Sequence, residues 1–315
     1  MPCRKSLLNW PPALLIPQGA AVGVSFSIMW YHQIFRKRGA ATGAACHDGR
    51  RRLGLPAGAL LALCVLSGPA QAAWDFIPTP LEWESWPLYC RVQYSWVNNG
   101  FEFQYGGRYS AEVVENWLKT VGKETFIGLH HYCASIHFLN RARGEPEPNM
   151  HRFELERAWT DVMYSFVRAD PSSMVYPNMA VTAAQVRLEM GKPDESEEIL
   201  QRGIDAQPRR PDAYVMMALL YRKQPPPGCK ESPLDCKRSG LQRARDVLAK
   251  ANEVTAGQSA EVQYNLGLLE FELGDMDAAS ESAKKAYALG YPLPGLKNKL
   301  TRIGRWHEAE APATP

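Results

Sequence analysis

The feature that most constrains the fold of this chain is an internal repeat in its C-terminal half. Pro177 and Pro211 lie 34 residues apart, and each opens a helical pattern, since proline is tolerated as the first residue of a helix. Segment 177–210 consists of two helical patterns around a Gly/Pro turn, and segment 260–291 repeats that order. Segment 211–253 supplies a further pair of helices. The sequence therefore predicts a series of helical hairpins.

This pattern resembles the tetratricopeptide repeat, whose period is 34 residues. The resemblance implies two antiparallel helices that touch closely at three repeat positions where only small side chains fit. All nine of these positions hold small residues: Ala184, Ser196 and Gly203 in the first unit, Ala218, Ala244 and Ala251 in the second, and Gly267, Ala279 and Ala286 in the third. We therefore predict an all-α helical-hairpin solenoid over 173–292, with an amphipathic helical bundle without true repeats as the alternative.

The rest of the chain after the leader is predicted to flank this solenoid. An insertion at 224–237 separates the helices of the second unit, either as a rigid binding finger or as a tolerated loop. Residues 126–172 form a divergent helical hairpin in which Gly128 takes a small position. The remaining segments are an irregular, aromatic-rich stretch with a short helix at 73–125, a capping helix at 293–306 and a disordered tail at 307–315.

Residues 1–72 are predicted to be a leader outside the fold. Arg50-Arg51-Arg52, an apolar run and Ala70-Gln71-Ala72 have the order of a secretory signal peptide. Cleavage after Ala72 would place the protein in the periplasm or outside the cell. The alternative is an uncleaved membrane anchor, but the apolar run is shorter than the roughly 20 residues that a span needs. Residues 1–49 precede this signal, either because the start is assigned too far upstream or as a membrane-associated extension.

Four of the seven cysteines remain after that cleavage. An even number of cysteines in an oxidising compartment favours disulfides. Cys229 and Cys236 would close a short local loop. Cys90 and Cys133 would then pair by elimination.

Charge and motif content argue against nucleic-acid binding and catalysis. The formal net charge is +3, but the basic residues concentrate in the leader, and no basic run follows residue 52. The electrostatic footprint of a nucleic-acid-binding protein is therefore missing from the predicted mature chain. The sequence also has no Gly-rich phosphate loop, nucleophile elbow or His-Glu-x-x-His helix. We predict a protein without enzymatic activity and without a cofactor, which meets a membrane only if the leader stays uncleaved.

The resemblance further implies where a partner would bind. The first helix of each unit lines the concave surface of such a stack, and the family's peptide-carboxylate clamp needs Lys or Arg and Asn there. Only Arg222 and Asn265 approach a clamp, so we predict an apolar groove with an aromatic end, suited to a peptide with hydrophobic anchors. The alternative is that some of these apolar residues belong to the core. The predicted groove residues are Asn178, Val181, Gln185, Val215, Leu219, Arg222, Tyr264, Asn265, Leu268 and Phe271.

These features predict a periplasmic scaffold or adaptor that binds a protein or peptide partner, for example in the assembly of an envelope complex. An alternative function comes from His130, Cys133 and His137, which share one helix face by their i, i+3, i+7 spacing. Two imidazoles and a thiolate could bind zinc or copper. Pairing of Cys133 with Cys90 would remove that thiolate.

Overall fold

The computed structural model describes residues 78–97, 109–224, 226 and 228–306. These residues belong to one of the two units of the chain, Ala62–Pro315. Twelve helices and no strand occur in these ranges. They are α1 Pro80–Ser85, α2 Leu88–Val97, α3 Ala111–Val121, α4 Lys123–Gly144, α5 Pro148–Phe166, α6 Tyr176–Glu189, α7 Pro193–Ala206, α8 Asp212–Lys223, α9 Pro233–Val254, α10 Ala260–Leu273, α11 Met276–Ala288 and α12 Gly295–Arg302. The predicted leader at 1–72, its cleavage site and the tail at 307–315 lie outside the described residues.

The helices pack as consecutive hairpins, which confirms the all-α solenoid. α4 pairs with α5, α6 with α7, α8 with α9, and α10 with α11. The second helix of each hairpin also packs against the first helix of the next one. Contacts between neighbouring repeats along a line are what defines a solenoid.

Local sequence signals explain where the last hairpin begins and turns. The Ser259 side chain accepts a hydrogen bond from the backbone N–H of Val262 and caps α10. The Asp275 side chain caps α11 in the same way, and each such cap contributes about 1 kcal/mol. Between them Gly274 has φ +92°, a left-handed conformation that favours glycine and ends α10.

The nine predicted small residues are all buried, and the tight crossings are confirmed. A Cβ on Gly203 would lie 2.9 Å from the Cβ of Ala180 on the neighbouring helix. A Cβ on Gly267 would lie 3.2 Å from the Ala279 carbonyl oxygen. Ser196 uses its small size differently, because its hydroxyl donates a hydrogen bond of 2.8 Å to the Ala184 carbonyl across the hairpin.

Gly128 occupies its predicted position without a steric need for glycine. A Cβ at Gly128 would meet no atom within 4 Å. The position faces open space in the α4–α5 hairpin, and its carbonyl accepts a hydrogen bond of 2.9 Å from the hydroxyl of Ser165. The two helices therefore meet at this carbonyl, but a larger side chain at position 128 would not prevent their contact.

The prediction of an irregular aromatic segment is wrong over 80–97, where α1 and α2 form. Two prolines of this segment stand at helix starts. Pro80 is the first residue of α1 after a Thr79 capping box, and Pro87 directly precedes α2. Trp83, Trp86 and Tyr94 pack together with ring centroids 5.4–6.0 Å apart. These aromatic contacts hold two short helices that would be marginal in isolation.

Two other predicted boundaries shift. The insertion predicted at 224–237 is shorter, because α9 begins at Pro233 after a Ser232 cap. The capping helix is confined to Gly295–Arg302, and it packs on α10 and α11 with Leu296 and Leu300 fully buried. It closes the C-terminal end of the stack, as solenoids require.

Both predicted disulfides are present. Cys90–Cys133 joins α2 to α4, and Cys229–Cys236 closes the loop that leads into α9. Among the described helices, none has the length and apolar character needed to cross a bilayer.

Candidate functional site: the face of the first helices

The first helices of successive hairpins lie side by side. α4 contacts α6, α6 contacts α8, and α8 contacts α10. The chain reverses direction once within each hairpin and once before the next hairpin. These four helices therefore run in the same direction, and their N-termini lie at one end. We call the surface formed by the half-exposed side chains of α6, α8 and α10 the groove face. It comprises Asn178, Gln185, Leu188, Leu219, Arg222, Glu261, Leu268 and Phe271.

Six of the ten predicted groove residues are at least partly accessible there. They are Asn178, Gln185, Leu219, Arg222, Leu268 and Phe271. Val215 is fully buried and Val181 is 6 % exposed, so the prediction that these two valines face a ligand is wrong. These two side chains belong to the core of the stack.

The predicted aromatic end of the groove is largely covered by α12. Tyr264 lies in a cluster with Ala283, Leu296 and Leu300, and its ring stacks on Tyr291 with centroids 4.0 Å apart. Tyr264 is therefore a core residue that receives the capping helix, and its assignment to the groove is wrong. Phe271 stays partly exposed.

Asn265 does not present a free amide for a peptide clamp. Its Nδ2 donates a hydrogen bond of 2.9 Å to the Glu261 carbonyl on the same helix. Asn265 lines a cavity of about 10 Å³ together with Leu219 and Arg222. That volume is close to the space of a single water molecule.

The arginines of this face are already neutralised. Arg222 donates two hydrogen bonds to the Glu272 carboxylate, one from Nε to Oε2 at 3.0 Å and one from Nη2 to Oε1. Arg143 of α4 makes an ion pair of 2.7 Å with Glu189 of α6. These pairs connect successive first helices, so Arg222 serves the stack instead of a carboxylate clamp.

Two carboxylates lie at the N-terminal end of the groove face. Asp212 is the first residue of α8, and its Oδ2 accepts a hydrogen bond of 3.1 Å from Arg210 Nε. Glu261 lies in the first turn of α10. Burial raises the pKa of Glu261 from its ordinary 4.5 to about 7, and the negative charge of Asp212 adds to this shift.

The hydroxyls of two tyrosines are close enough to sense these charges. Burial raises the pKa of Tyr89 well above its ordinary value, and Tyr132 and Asp212 contribute. Burial also raises the pKa of Tyr291, with Glu261 as the next cause.

The metal set His130, Cys133 and His137 is not formed. Cys133 is bonded to Cys90, so it offers no thiolate. His137 is fully buried, with Nδ1 3.3 Å from Glu82 Oε1. In the described part of the chain no group of three or more His, Cys, Asp or Glu side chains could hold a metal ion.

Sequence reasoning missed the polar partners of this region. His131 Nδ1 lies 2.6 Å from Asp161 Oδ1 across the α4–α5 hairpin, and Glu82 joins α1 to His137 and Arg141 of α4. Asp161 and Glu82 have no local sequence signal. Asp212 and Glu261, by contrast, occupy the second position of their repeat units, which the repeat pattern predicts on the face of the first helices.

Comparison with known proteins finds a family profile that matches the last hairpin. Residues 260–289, which span α10 and α11, match the sequence profile of the family "Tetratricopeptide repeat". A solved structure of a thermophilic TPR protein from Thermus thermophilus is 20% identical, with 54% of this chain and 84% of that chain covered and a TM-score of 0.39. No curated protein sequence is significantly similar to the chain.

Proposed function

We propose that this chain, whose residues 260–289 match the tetratricopeptide-repeat profile, is a non-enzymatic scaffold that binds a protein or peptide partner on its groove face. The observation that carries the proposal is the set of half-exposed apolar side chains on parallel first helices, Leu219, Leu268 and Phe271. Accessible apolar side chains with polar neighbours are typical of surfaces that take a peptide by hydrophobic anchors. We do not expect the partner to bind through a terminal carboxylate, because Arg222 is engaged by Glu272.

We further propose that the scaffold works in the bacterial periplasm, with assembly of an envelope complex as its role. The support is the signal-peptide pattern that ends at Ala72 together with two disulfides. Disulfides persist in oxidising compartments and are rare in the cytosol.

Affinity capture from envelope extract tests this function when it includes variants of the groove face. Leu219→Glu and Leu268→Glu each place a charge among the proposed anchors. Val167→Glu is the matched control, because Val167 is 55 % exposed and directly follows α5, a second helix. Circular dichroism and thermal unfolding must first show that all three variants fold.

The expected result is a partner retained by the wild type and by Val167→Glu and lost from both leucine variants. A partner that all the folded variants retain would place binding elsewhere. Capture of no partner from any extract would contradict the scaffold itself.

A further inference from the structure

The C-terminal end of the helical stack carries cations without intervening acids. Segment 284–306 contains six lysine and arginine residues and no aspartate or glutamate. The six cations are Lys284, Lys285, Lys297, Lys299, Arg302 and Arg305. They do not form a continuous run along the chain, but the fold brings them to one end, because α12 packs on α11. This end is therefore a local excess of positive charge in a chain whose formal net charge is only +3.

Carboxylates of the described residues neutralise only part of this charge. Lys285 makes an ion pair of 2.7 Å with Glu281, and Arg305 makes one of 3.2 Å with Asp277. The side chains in these pairs are all at least 55 % exposed, and ion pairs so open to water are weak. Three further cations make no ion pair within the part of the chain that the structure describes: Lys284, Lys299 and Arg302.

The outer side of α12 presents part of this charge to solvent. Leu296 and Leu300 are fully buried on the side of α12 that packs on α10 and α11. Lys299 and Arg302 are three residues apart, which places them on one side of the helix, and both are exposed. Because α12 is the last described helix, no further hairpin of the described chain covers this side.

Apolar side chains are exposed in the same segment. Leu289, Leu293 and Ile303 have exposed fractions of 37 %, 38 % and 47 %. Trp306 is half-buried, and its ring packs edge-on against Tyr287 with centroids 5.5 Å apart. The Tyr287 hydroxyl donates a hydrogen bond of 3.0 Å to the Leu293 carbonyl, so Leu293 and Trp306 lie around the same tyrosine. Aliphatic and tryptophan side chains beside lysine and arginine are typical of helices that lie on a membrane surface.

We propose that the exposed residues of 284–306, here called the end surface, bind the surface of a bilayer that carries anionic phospholipids. Each lysine or arginine near such a bilayer favours binding about fivefold. Ile303, Leu293 and Trp306 enter the headgroup region, where aliphatic and indole side chains are favoured. A nucleic acid or an acidic protein segment would pair with the cations and leave these apolar side chains in water, so the mixed composition favours a bilayer.

This inference goes beyond the scaffold function and does not depend on it. The end surface does not include the proposed anchors Leu219 and Leu268 of the groove face. It gives the protein a membrane contact that does not need the leader. A partner held on the groove face would then be held beside a bilayer.

Co-sedimentation of the disulfide-bonded, secreted protein with lipid vesicles tests the inference. One set of vesicles contains phosphatidylcholine with about 30 mol % phosphatidylglycerol, and the other contains phosphatidylcholine alone. The protein should bind the anionic vesicles at least about tenfold more tightly. This difference should shrink as NaCl rises from about 0.1 M to about 1 M, because salt screens exposed charges.

Two triple variants locate the binding surface. Lys284→Gln, Lys299→Gln and Arg302→Gln together should weaken binding to the anionic vesicles at least about tenfold. The matched control combines Lys230→Gln, Lys237→Gln and Arg238→Gln, which remove the same net charge from exposed positions in and after the α8–α9 loop. It should change the affinity less than about twofold. Circular dichroism must first show that both variants fold.

Ile303→Ser tests the apolar part of the contact. It leaves the charge unchanged and should weaken binding to the anionic vesicles about threefold or more, because the aliphatic side chain no longer enters the headgroup region. Wild-type affinity in this variant would overturn the apolar contact on which the choice of a bilayer depends.

Other results would overturn the inference as a whole. They are equal affinity for the two kinds of vesicle, and equal losses in the two triple variants. Binding of a labelled polyglutamate peptide as tightly as the anionic vesicles would overturn the bilayer as partner and indicate an acidic protein instead. None of these results bears on capture of a partner by the groove face, so the scaffold function is tested separately.

Discussion

Gly203 and Gly128 are both helical glycines, but only Gly203 has a neighbouring helix too close for a Cβ atom. Gly203 lies where α7 crosses α6, with the Cβ of Ala180 2.9 Å from the place of its own missing Cβ. Gly203→Ala should lower the free energy of unfolding by roughly 1–2 kcal/mol, because two methyl groups on rigid backbone must separate. Gly128→Ala should raise it by roughly 0.5–1 kcal/mol through helix propensity alone.

Urea unfolding of the two variants beside the wild type measures both effects. A Gly203→Ala variant as stable as Gly128→Ala would show that the α6–α7 crossing is not tight.

The carboxyl group of Glu261 should destabilise the folded protein at high pH, compared with an uncharged side chain at this position. Its folded-state pKa of about 7 is above the ordinary 4.5, so folding favours the protonated form between these two values. The stabilisation is present at low pH and is lost as pH rises through about 7. Glu261→Gln should therefore stabilise the fold by roughly 2 kcal/mol at about pH 8 and by much less at about pH 5.

Denaturant unfolding of wild type and Glu261→Gln at both pH values checks this prediction. The same difference at low and high pH would show that the carboxylate is not held in its protonated form.

The sequence predicted residues correctly where the repeat period or the even number of cysteines determines their role. The nine small positions follow from the repeat period, and the disulfides follow from four cysteines of which two are close in sequence. Val215 and Tyr264 were misplaced because their exposure depends on helix rotation and on how α12 docks. The pairing of Arg222 with Glu272 joins residues 50 positions apart, a distance at which no sequence pattern operates.

At the scale of elements, the two disulfides should differ in what they contribute. Cys90–Cys133 spans 43 residues and Cys229–Cys236 spans seven. By loss of chain entropy in the unfolded state, the longer loop contributes about 4 kcal/mol and the shorter about 2.5 kcal/mol. Replacement of both cysteines by serine should therefore cost more at 90 and 133 than at 229 and 236.

Thermal and urea unfolding of the two double variants give the comparison. Equal losses of stability would indicate that α2 remains attached to α4 through its other contacts, among them Gln93 Nε2 to the Ile127 carbonyl at 3.3 Å.

The elements that the sequence failed to predict are those that depend on distant partners. α1 and α2 are six and ten residues long, shorter than an isolated helix needs to be stable in water. They form because aromatic side chains pack together and because Cys90 and Gln93 connect them to α4. By contrast, α6 to α11 have local caps, turn glycines or prolines and a repeated pattern, and the sequence located them closely.

At the scale of the whole molecule, the first helices of the hairpins share one face of the stack and the second helices share the opposite face. The first helices place the half-exposed apolar side chains of Leu219, Leu268 and Phe271 on one face. Among the second helices, α7 exposes charged residues such as Glu198, whereas α5 also exposes Met150, Phe153 and Tyr164. The alignment of apolar side chains along successive first helices, and not any single residue, leads us to expect that the partner binds on their face.

Site-specific photo-crosslinking in cells that produce the protein tests that expectation most directly. A benzoylphenylalanine at Asn178, half-exposed on α6, samples the groove face, and one at Glu198 samples the opposite side of the same hairpin. We predict discrete cross-linked products from position 178 and none from position 198. Products from position 198 alone, or from neither position, would contradict the account of this protein as a scaffold that binds its partner on the face of the first helices.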